Sequence, residues 1–152
     1  MRAGFVFKLK TFANVTAVDV SSEALDLAKE NAKINGARID FIESNMFSNL
    51  HDKKFDVIIS NPPYIKSEDL LNLQKEVKDF EPMLALDGGA DGLVFYKIIA
   101  QNAKKHLKKN GVLLMECGVG QANEIKEMLV DAISVEIIKD YENIDRIVKA
   151  VL

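Results

Sequence analysis

The residues with the clearest chemical use stand four in a row: Asn61, Pro62, Pro63 and Tyr64. Two prolines stiffen a turn and remove two backbone donors, so carbonyl oxygens are left to face a ligand. The Asn61 side chain offers one more carbonyl acceptor. Two acceptors held at a fixed angle suit a substrate –NH2 group, which has two N–H donors. The Tyr64 ring can pack on a planar amide or a base. A planar –NH2 is a poor nucleophile because its lone pair is delocalised. Gripping both N–H groups with rigid acceptors favours the pyramidal, attacking form and stabilises the transition state more than the ground state. Such a step requires no metal and no charged base. The tetrapeptide alone also reads as a plain Asn-Pro loop initiator. What favours chemistry is its place directly after the apolar run 55–60 (FDVIIS), because ligands of open α/β sheets bind beyond the carboxyl ends of strands.

Asp19 is the second candidate. It lies near the end of the β-branched run 15–20 (VTAVDV), just before Ser21-Ser22. A carboxylate there is placed to accept hydrogen bonds from ribose hydroxyls. Alone it reads better as a surface residue that helps start a helix; beside the tetrapeptide, ribose binding is the better reading.

These residues need elements to hold them. Residues 15–20 read as a buried strand. Ser21 and Ser22 are helix N-cap candidates, and Leu25, Ala28 and Ala32 mark one helical face that ends at Asn35-Gly36. Residues 38–43 alternate like a strand, and 55–60 form another. A polar stretch over 67–80 is partly helical, and 87–92 (DGGADG) forms a glycine-rich turn beside the substrate pocket. A helix is expected over 93–109, a strand over 112–117, a helix over 121–132, and two strands over 133–139 and 146–152. Alternation of strand and helix argues for a parallel sheet covered on both faces. The last connection is too short for a crossover, so the final pair is antiparallel.

With 152 residues, 48% apolar and 28% charged, the chain has the balance of a globular domain, and one domain over 1–152 is expected. Twenty Lys+Arg against 23 Asp+Glu give net −3, which disfavours nucleic acid as the main partner. The single Cys117 excludes a disulfide framework within the chain and a multi-thiolate zinc site. His51 and His106 are read as solvated, Cys117 as a buried strand residue, and Lys104, Lys105, Lys108 and Lys109 as a charge run on an exposed helix end. No apolar run is long enough to span a membrane. A cytoplasmic protein is expected.

The stretches 15–36, 55–65 (FDVIISNPPYI), 76–93 (EVKDFEPMLALDGGADGL), 111–121 (GVLLMECGVGQ) and 145–152 resemble the class I S-adenosylmethionine-dependent methyltransferases of the HemK/PrmC type. The tetrapeptide is shared with adenine-N6 methyltransferases, whereas the 76–93 stretch favours the branch that methylates a glutamine amide in peptide chain release factors. The resemblance implies a Rossmann-like sheet, S-adenosylmethionine as cofactor and a release factor as partner. It places Asp19 on the cofactor ribose, with Val20 beside it. Asn45 and Met46 border the adenine, and Asn61, Pro62, Pro63 and Tyr64 hold the substrate amide, Asn61 also lying next to the cofactor.

The sequence departs from that pattern in several places. The family has a first strand ending in an acidic glycine-rich loop, whereas Gly4 is the only glycine before Gly36 here. Position 45 is Asn where Asp is usual, and 46 is Met where an aromatic is common. The resemblance therefore implies an incomplete catalytic domain that lacks the central strand of its sheet, binds cofactor weakly and can self-associate through exposed strand edges. Residues 1–14 read equally as a helix or as a replacement strand. Three other readings stay open: an adenine-N6 methyltransferase acting on DNA or RNA, an inactive truncated fragment, and a circularly permuted enzyme whose cofactor loop is 116–120 (ECGVG), with ribose near Asp140.

Overall fold

A computed structural model describes residues 13–72 and 82–152. They fall into two compact units that divide between Asp52 and Lys53.

In the first unit, β1 (Val15–Asp19) and β2 (Ile39–Glu43) pair in parallel, from Val15 opposite Ile39 to Asp19 opposite Glu43. Helix α1 (Ser22–Ile34) connects them. Of the two serines before it, Ser21 is the cap: its Oγ accepts the Ala24 N–H at 3.1 Å. Leu25, Ala28 and Ala32 are buried, as their spacing requires. Gly36 takes the left-handed conformation (φ 64°) that ends the helix, and the Ala37 N–H reaches back to the Ala32 carbonyl at 2.9 Å.

The second unit contains β3 (Phe55–Ser60), α2 (Val94–His106), β4 (Leu107–Glu116), α3 (Ala122–Met128), β5 (Ser134–Lys139) and β6 (Asp145–Val151). Its sheet runs β3-β4-β6-β5. β3 and β4 are parallel; β6 is antiparallel to β4 and, as the short last connection requires, to β5. The core is built on β4 and β6: Leu113 lies opposite Ala150 and Met115 opposite Val148, all fully buried. Tyr96, Ile99 and Ala103 of α2 and Ala122 and Ile125 of α3 are buried too. Each large side chain among these stabilises the fold by about 1.5–3 kcal/mol. Among the described residues, β1 carries a ladder only on its β2 side and β3 only on its β4 side. No helix among the described residues is long and apolar enough to cross a membrane.

Several local expectations are corrected. Helix α2 ends at His106, not at 109, and β4 begins at once with Leu107 opposite Phe55. The next partners are Val57 and Val112, so β4 loops out between Leu107 and Val112, with Asn110 left-handed at φ 59°. Asn110-Gly111 thus turns the chain inside the strand's span. Lys108 and Lys109 lie beyond the helix. Two of the four lysines form ion pairs: Lys104 reaches Asp131 (3.7 Å) and Lys108 reaches Asp56 (2.8 Å). Helix α3 stops at Met128, short of 132. His106 is buried, its Nδ1 3.2 Å from the Lys53 carbonyl, while His51 is exposed. In the polar stretch 67–80 the described part holds a 3-10 turn, Asp69–Asn72. Its remainder, and residues 1–12 with the question of helix or strand, lie outside the described residues.

The β5–β6 turn is held by one carboxylate. Asp140 Oδ1 accepts the N–H groups of Glu142 (2.9 Å) and Ile144 (3.0 Å), and Oδ2 accepts Arg146 Nε (2.9 Å). The Ile144 N–H and then the Arg146 guanidinium hold its carboxyl below the ordinary 3.8. A depressed pKa gives stability that is complete above the unfolded value and lost as pH falls through the folded one. Asp140→Asn should therefore lower the melting temperature near neutral pH, and the gap to the wild type should shrink as pH falls below 3.8. Thermal scans across that range read this out. In the core, Leu113→Ala should cost about 2–5 kcal/mol in denaturant titration.

Candidate active site

The carboxyl ends of β1 and β2 lie side by side, because Asp19 pairs with Glu43. Asp19 is 5% exposed. Its carbonyl accepts the Ser44 N–H at 2.9 Å, which carries the pairing one step past the strand. Its Oδ1 accepts the Ser21 N–H at 2.9 Å. Its Oδ2 is buried and has no hydrogen-bond partner. An unmet buried polar atom costs about 1–3 kcal/mol, more when charged. A ligand hydroxyl at this point would remove that cost. Val20, the next residue, is exposed.

The loop after β2 is built around Ser44. Its Oγ donates to the Met46 carbonyl (3.0 Å) and accepts the Asn49 N–H (2.9 Å). The Asn45 carbonyl accepts both N–H and Oγ–H of Ser48, at 3.1 and 2.7 Å. This network holds Met46 at φ 52°, in the left-handed region that costs a non-glycine residue roughly 1–2 kcal/mol. Asn45 is left exposed and Met46 half-buried at the same sheet end as Asp19 and Val20.

The second unit carries the tetrapeptide. Asn61 leaves the end of β3 exposed to solvent, Pro62 and Pro63 are buried, and Tyr64 is half-buried. The chain leaving Tyr64 is fastened to the glycine-rich turn. The Ile65 N–H donates to Leu86 O (3.0 Å) and the Gly88 N–H to Ile65 O (2.8 Å). Within that turn, Asp87 Oδ1 accepts Ser67 Oγ–H (2.7 Å) and the Gly89 N–H (2.8 Å). These bonds, the Ser67 one foremost, hold the Asp87 carboxyl below the usual range.

Three glycines surround Tyr64. A Cβ on Gly88 would stand 2.8 Å from Tyr64 Cα, one on Gly92 2.6 Å from Tyr64 O, and one on Gly118 2.9 Å from Tyr64 Cδ2. Gln121 ties the same loops together. Its Nε2 donates to Tyr64 O (3.0 Å) and Gly92 O (3.3 Å), and its Oε1 accepts the Gly118 N–H (3.0 Å). Behind them Tyr96 is fully buried and donates its hydroxyl to Glu116 O at 2.8 Å, and burial pushes its phenol far up. Cys117 is buried and its thiol is likewise raised by burial.

The sequence-predicted residues thus form two groups, one in each unit: Asp19, Val20, Asn45 and Met46, and Asn61 to Tyr64. Sequence reasoning missed Gln121 and the three-sided glycine enclosure. The one available signal was a Gln at a helix start, where Ser, Thr, Asn and Asp are preferred. Among the described residues no cluster of three or more His, Cys, Asp or Glu could hold a metal ion.

This architecture is that of the class I methyltransferases. A methyltransferase from Pyrococcus furiosus superposes with a TM-score of 0.66 at 21% identity, over 91% of this chain and 62% of that one. The ribosomal protein L11 methylase of Lactobacillus delbrueckii subsp. bulgaricus does so at 0.59 and 20%, over 91% and 58%. Residues 4–90 match the family described as methyltransferase small domain, and the chain belongs to that family. A release factor glutamine methyltransferase from Geobacter sulfurreducens is 47% identical over 116 residues, which are 76% of this chain and 41% of the relative. One from Fusobacterium nucleatum is 43% identical over 143 residues, 91% and 40%. The chain spans less than half the length of these two relatives.

The enclosure predicts two unequal glycine substitutions. Gly36→Ala meets nothing within 4 Å at φ 64° and should cost only the left-handed strain, about 1–2 kcal/mol. Gly92→Ala, at φ 72° with a Cβ 2.6 Å from Tyr64 O, should cost more and shift the Tyr64 resonances. Denaturant titration and NMR spectra check the contrast.

Proposed function

We propose that this chain transfers a methyl group from S-adenosylmethionine to the side-chain amide nitrogen of a glutamine in a peptide chain release factor. The observation that carries the reading is an exposed Asn61 mounted on buried Pro62 and Pro63 at a strand end. That makes an acceptor open to substrate and fixed from behind. Relatives named release factor glutamine methyltransferase, 38–47% identical over 76–91% of this chain, supply the substrate class.

In this reading the Asn61 side-chain oxygen and the Pro62 carbonyl each accept one amide N–H. The nitrogen lone pair is thereby drawn out of conjugation and directed at the incoming carbon. Tyr64 stacks its ring on the amide plane. When bound, S-adenosylmethionine would supply an electrophilic methyl on a positively charged sulfur; the amide nitrogen would take that carbon as the C–S bond breaks, releasing neutral S-adenosylhomocysteine, and the surplus N–H proton would pass to water. No acid or base in the site needs a shifted pKa; proximity and orientation do most of the work.

The unmet Asp19 Oδ2 fits a ribose hydroxyl donor. Asn45 and Met46 would border the adenine, Val20 would lie along the nucleoside, and Asn61 would face the transferring methyl. The permuted alternative is weaker, because both Asp140 oxygens are already bonded within their own turn. The two units are read as parts of one catalytic domain, which the family match across residues 4–90 supports. A release factor partner fits a cytoplasmic location. A net charge of −3 gives no support to a nucleic-acid substrate, and self-association would use the β1 or β3 edge.

The test is methyl transfer to a purified release factor, followed by mass spectrometry of the modified glutamine peptide. Asn61→Ala should lower kcat by about 100-fold or more while circular dichroism is unchanged. Asp19→Asn should weaken S-adenosylmethionine binding about tenfold in calorimetry, the loss of one charge-assisted hydrogen bond. An active Asn61→Ala protein, or methyl on nucleic acid instead of glutamine, would overturn the reading.

A further inference from the structure

The geometry points to Gln121 as a positioning residue: its side-chain amide sets the backbone of Tyr64 and, through it, the direction of the Asn61 and Pro62 oxygens. This inference rests on the role proposed above for residues 61–64.

The helix that Gln121 begins does not use its side chain. No side-chain capping bond is made, and the first bond of α3 comes from the Gln121 carbonyl, which accepts the Ile125 N–H at 3.0 Å. The amide is committed elsewhere. Oε1 takes the Gly118 N–H, and Nε2 serves the carbonyls of Tyr64 and Gly92. Those three backbone groups belong to three segments: the loop after β4, the exit of the tetrapeptide and the glycine-rich turn. A primary amide is the side-chain group that presents one acceptor and two donors in a single plane. A carboxylate there would keep the Gly118 bond but set negative oxygen against two carbonyls.

Position 64 is also where the stiffness of the prolines runs out. Pro62 and Pro63 fix their own φ, but not the rotation that follows them. The next backbone anchor is the Ile65 N–H on Leu86 O. Tyr64 O and the Ile65 N–H share one peptide plane, so Leu86 O holds one edge of that plane and Gln121 holds the other. The absence of a Cβ on Gly92 and Gly118 is what lets it approach: a Cβ on either would stand 2.7 Å from the amide. A two-acceptor grip depends on the angle between its oxygens, so a slack Tyr64 carbonyl would loosen the grip without removing either acceptor. Misplacement by about 1 Å is enough to cost roughly 100-fold in rate.

The experiment compares the full chain with Gln121→Glu and Gln121→Ala, using release factor as methyl acceptor. For both variants kcat should fall ~10–100-fold while KM for S-adenosylmethionine stays unchanged. In Gln121→Ala, amide exchange at Gly118 should accelerate roughly tenfold or more, with protection in β4 and β6 retained. Wild-type kcat in Gln121→Glu would overturn the inference. So would a loss of protection throughout β4 and β6 that parallels the loss of rate, since that marks a merely structural role. If the unsubstituted chain methylates no glutamine, the functional reading above fails. Exchange then decides the clamp alone: unaltered Gly118 protection in Gln121→Ala overturns it, and local loss there upholds it.

Discussion

Tyr64 is the residue on which the second unit's candidate site depends, and the constraint acting on it is steric before it is chemical. Its Cα, its carbonyl oxygen and its ring edge each approach the backbone of a different glycine more closely than any Cβ would permit. Hydrogen bonds then fasten what the close packing allows, through Ile65 on one side and Gln121 on the other. The buried prolines complete the frame. An acceptor mounted on such a frame loses little freedom when a substrate binds, so more of the binding energy can be spent on the reacting geometry.

The first unit uses a different device. Its sheet end is organised by short polar side chains: Ser21 caps α1, Ser44 bridges its own loop, and Asn49 Nδ2 donates to Glu43 O at 2.8 Å. These bonds leave one oxygen of Asp19 unmet in a buried position. The fold thus satisfies the backbone around this carboxylate and leaves one of its oxygens able to accept a further donor. The strained Met46 belongs to the same arrangement, because its left-handed turn brings its own carbonyl to Ser44 Oγ.

The strands and helices were legible wherever one period dominated. The alternation of 38–43 and the apolar run 55–60 each specify one strand, and the three-four spacing of Leu25, Ala28 and Ala32 specifies one helix and its buried face. The tetrapeptide was legible because its chemistry is local: acceptors and stiffness are adjacent in the chain. Gln121 was not, because its three partners come from positions 64, 92 and 118 and nothing local marks their convergence. His106 was misread for a related reason. A histidine in a lysine-rich stretch looks solvated, yet the helical period turns it inward with Ile99 and Ala103. The end of α2 was misplaced because Lys108 and Lys109 suit a helix terminus as well as they suit an exposed loop in β4.

The glycine-rich turn is difficult to read from composition for the same reason. Residues 87–92 read only as a glycine-rich turn, yet that turn is tied down by several bonds. Asp87 bonds Ser67 and Gly89, Asp91 Oδ1 accepts the Leu93 N–H (2.9 Å) and pairs with Lys97, and Gly88 and Gly92 are buried. Its two aspartates act on their own turn and leave no cation cluster among the described residues. Gly88 and Gly92 admit Tyr64, so the turn packs as one unit with the tetrapeptide more than twenty residues before it. Sequence distance conceals that unit, and the parallel bridge between Ile65 and Asp87 is the physical link that creates it.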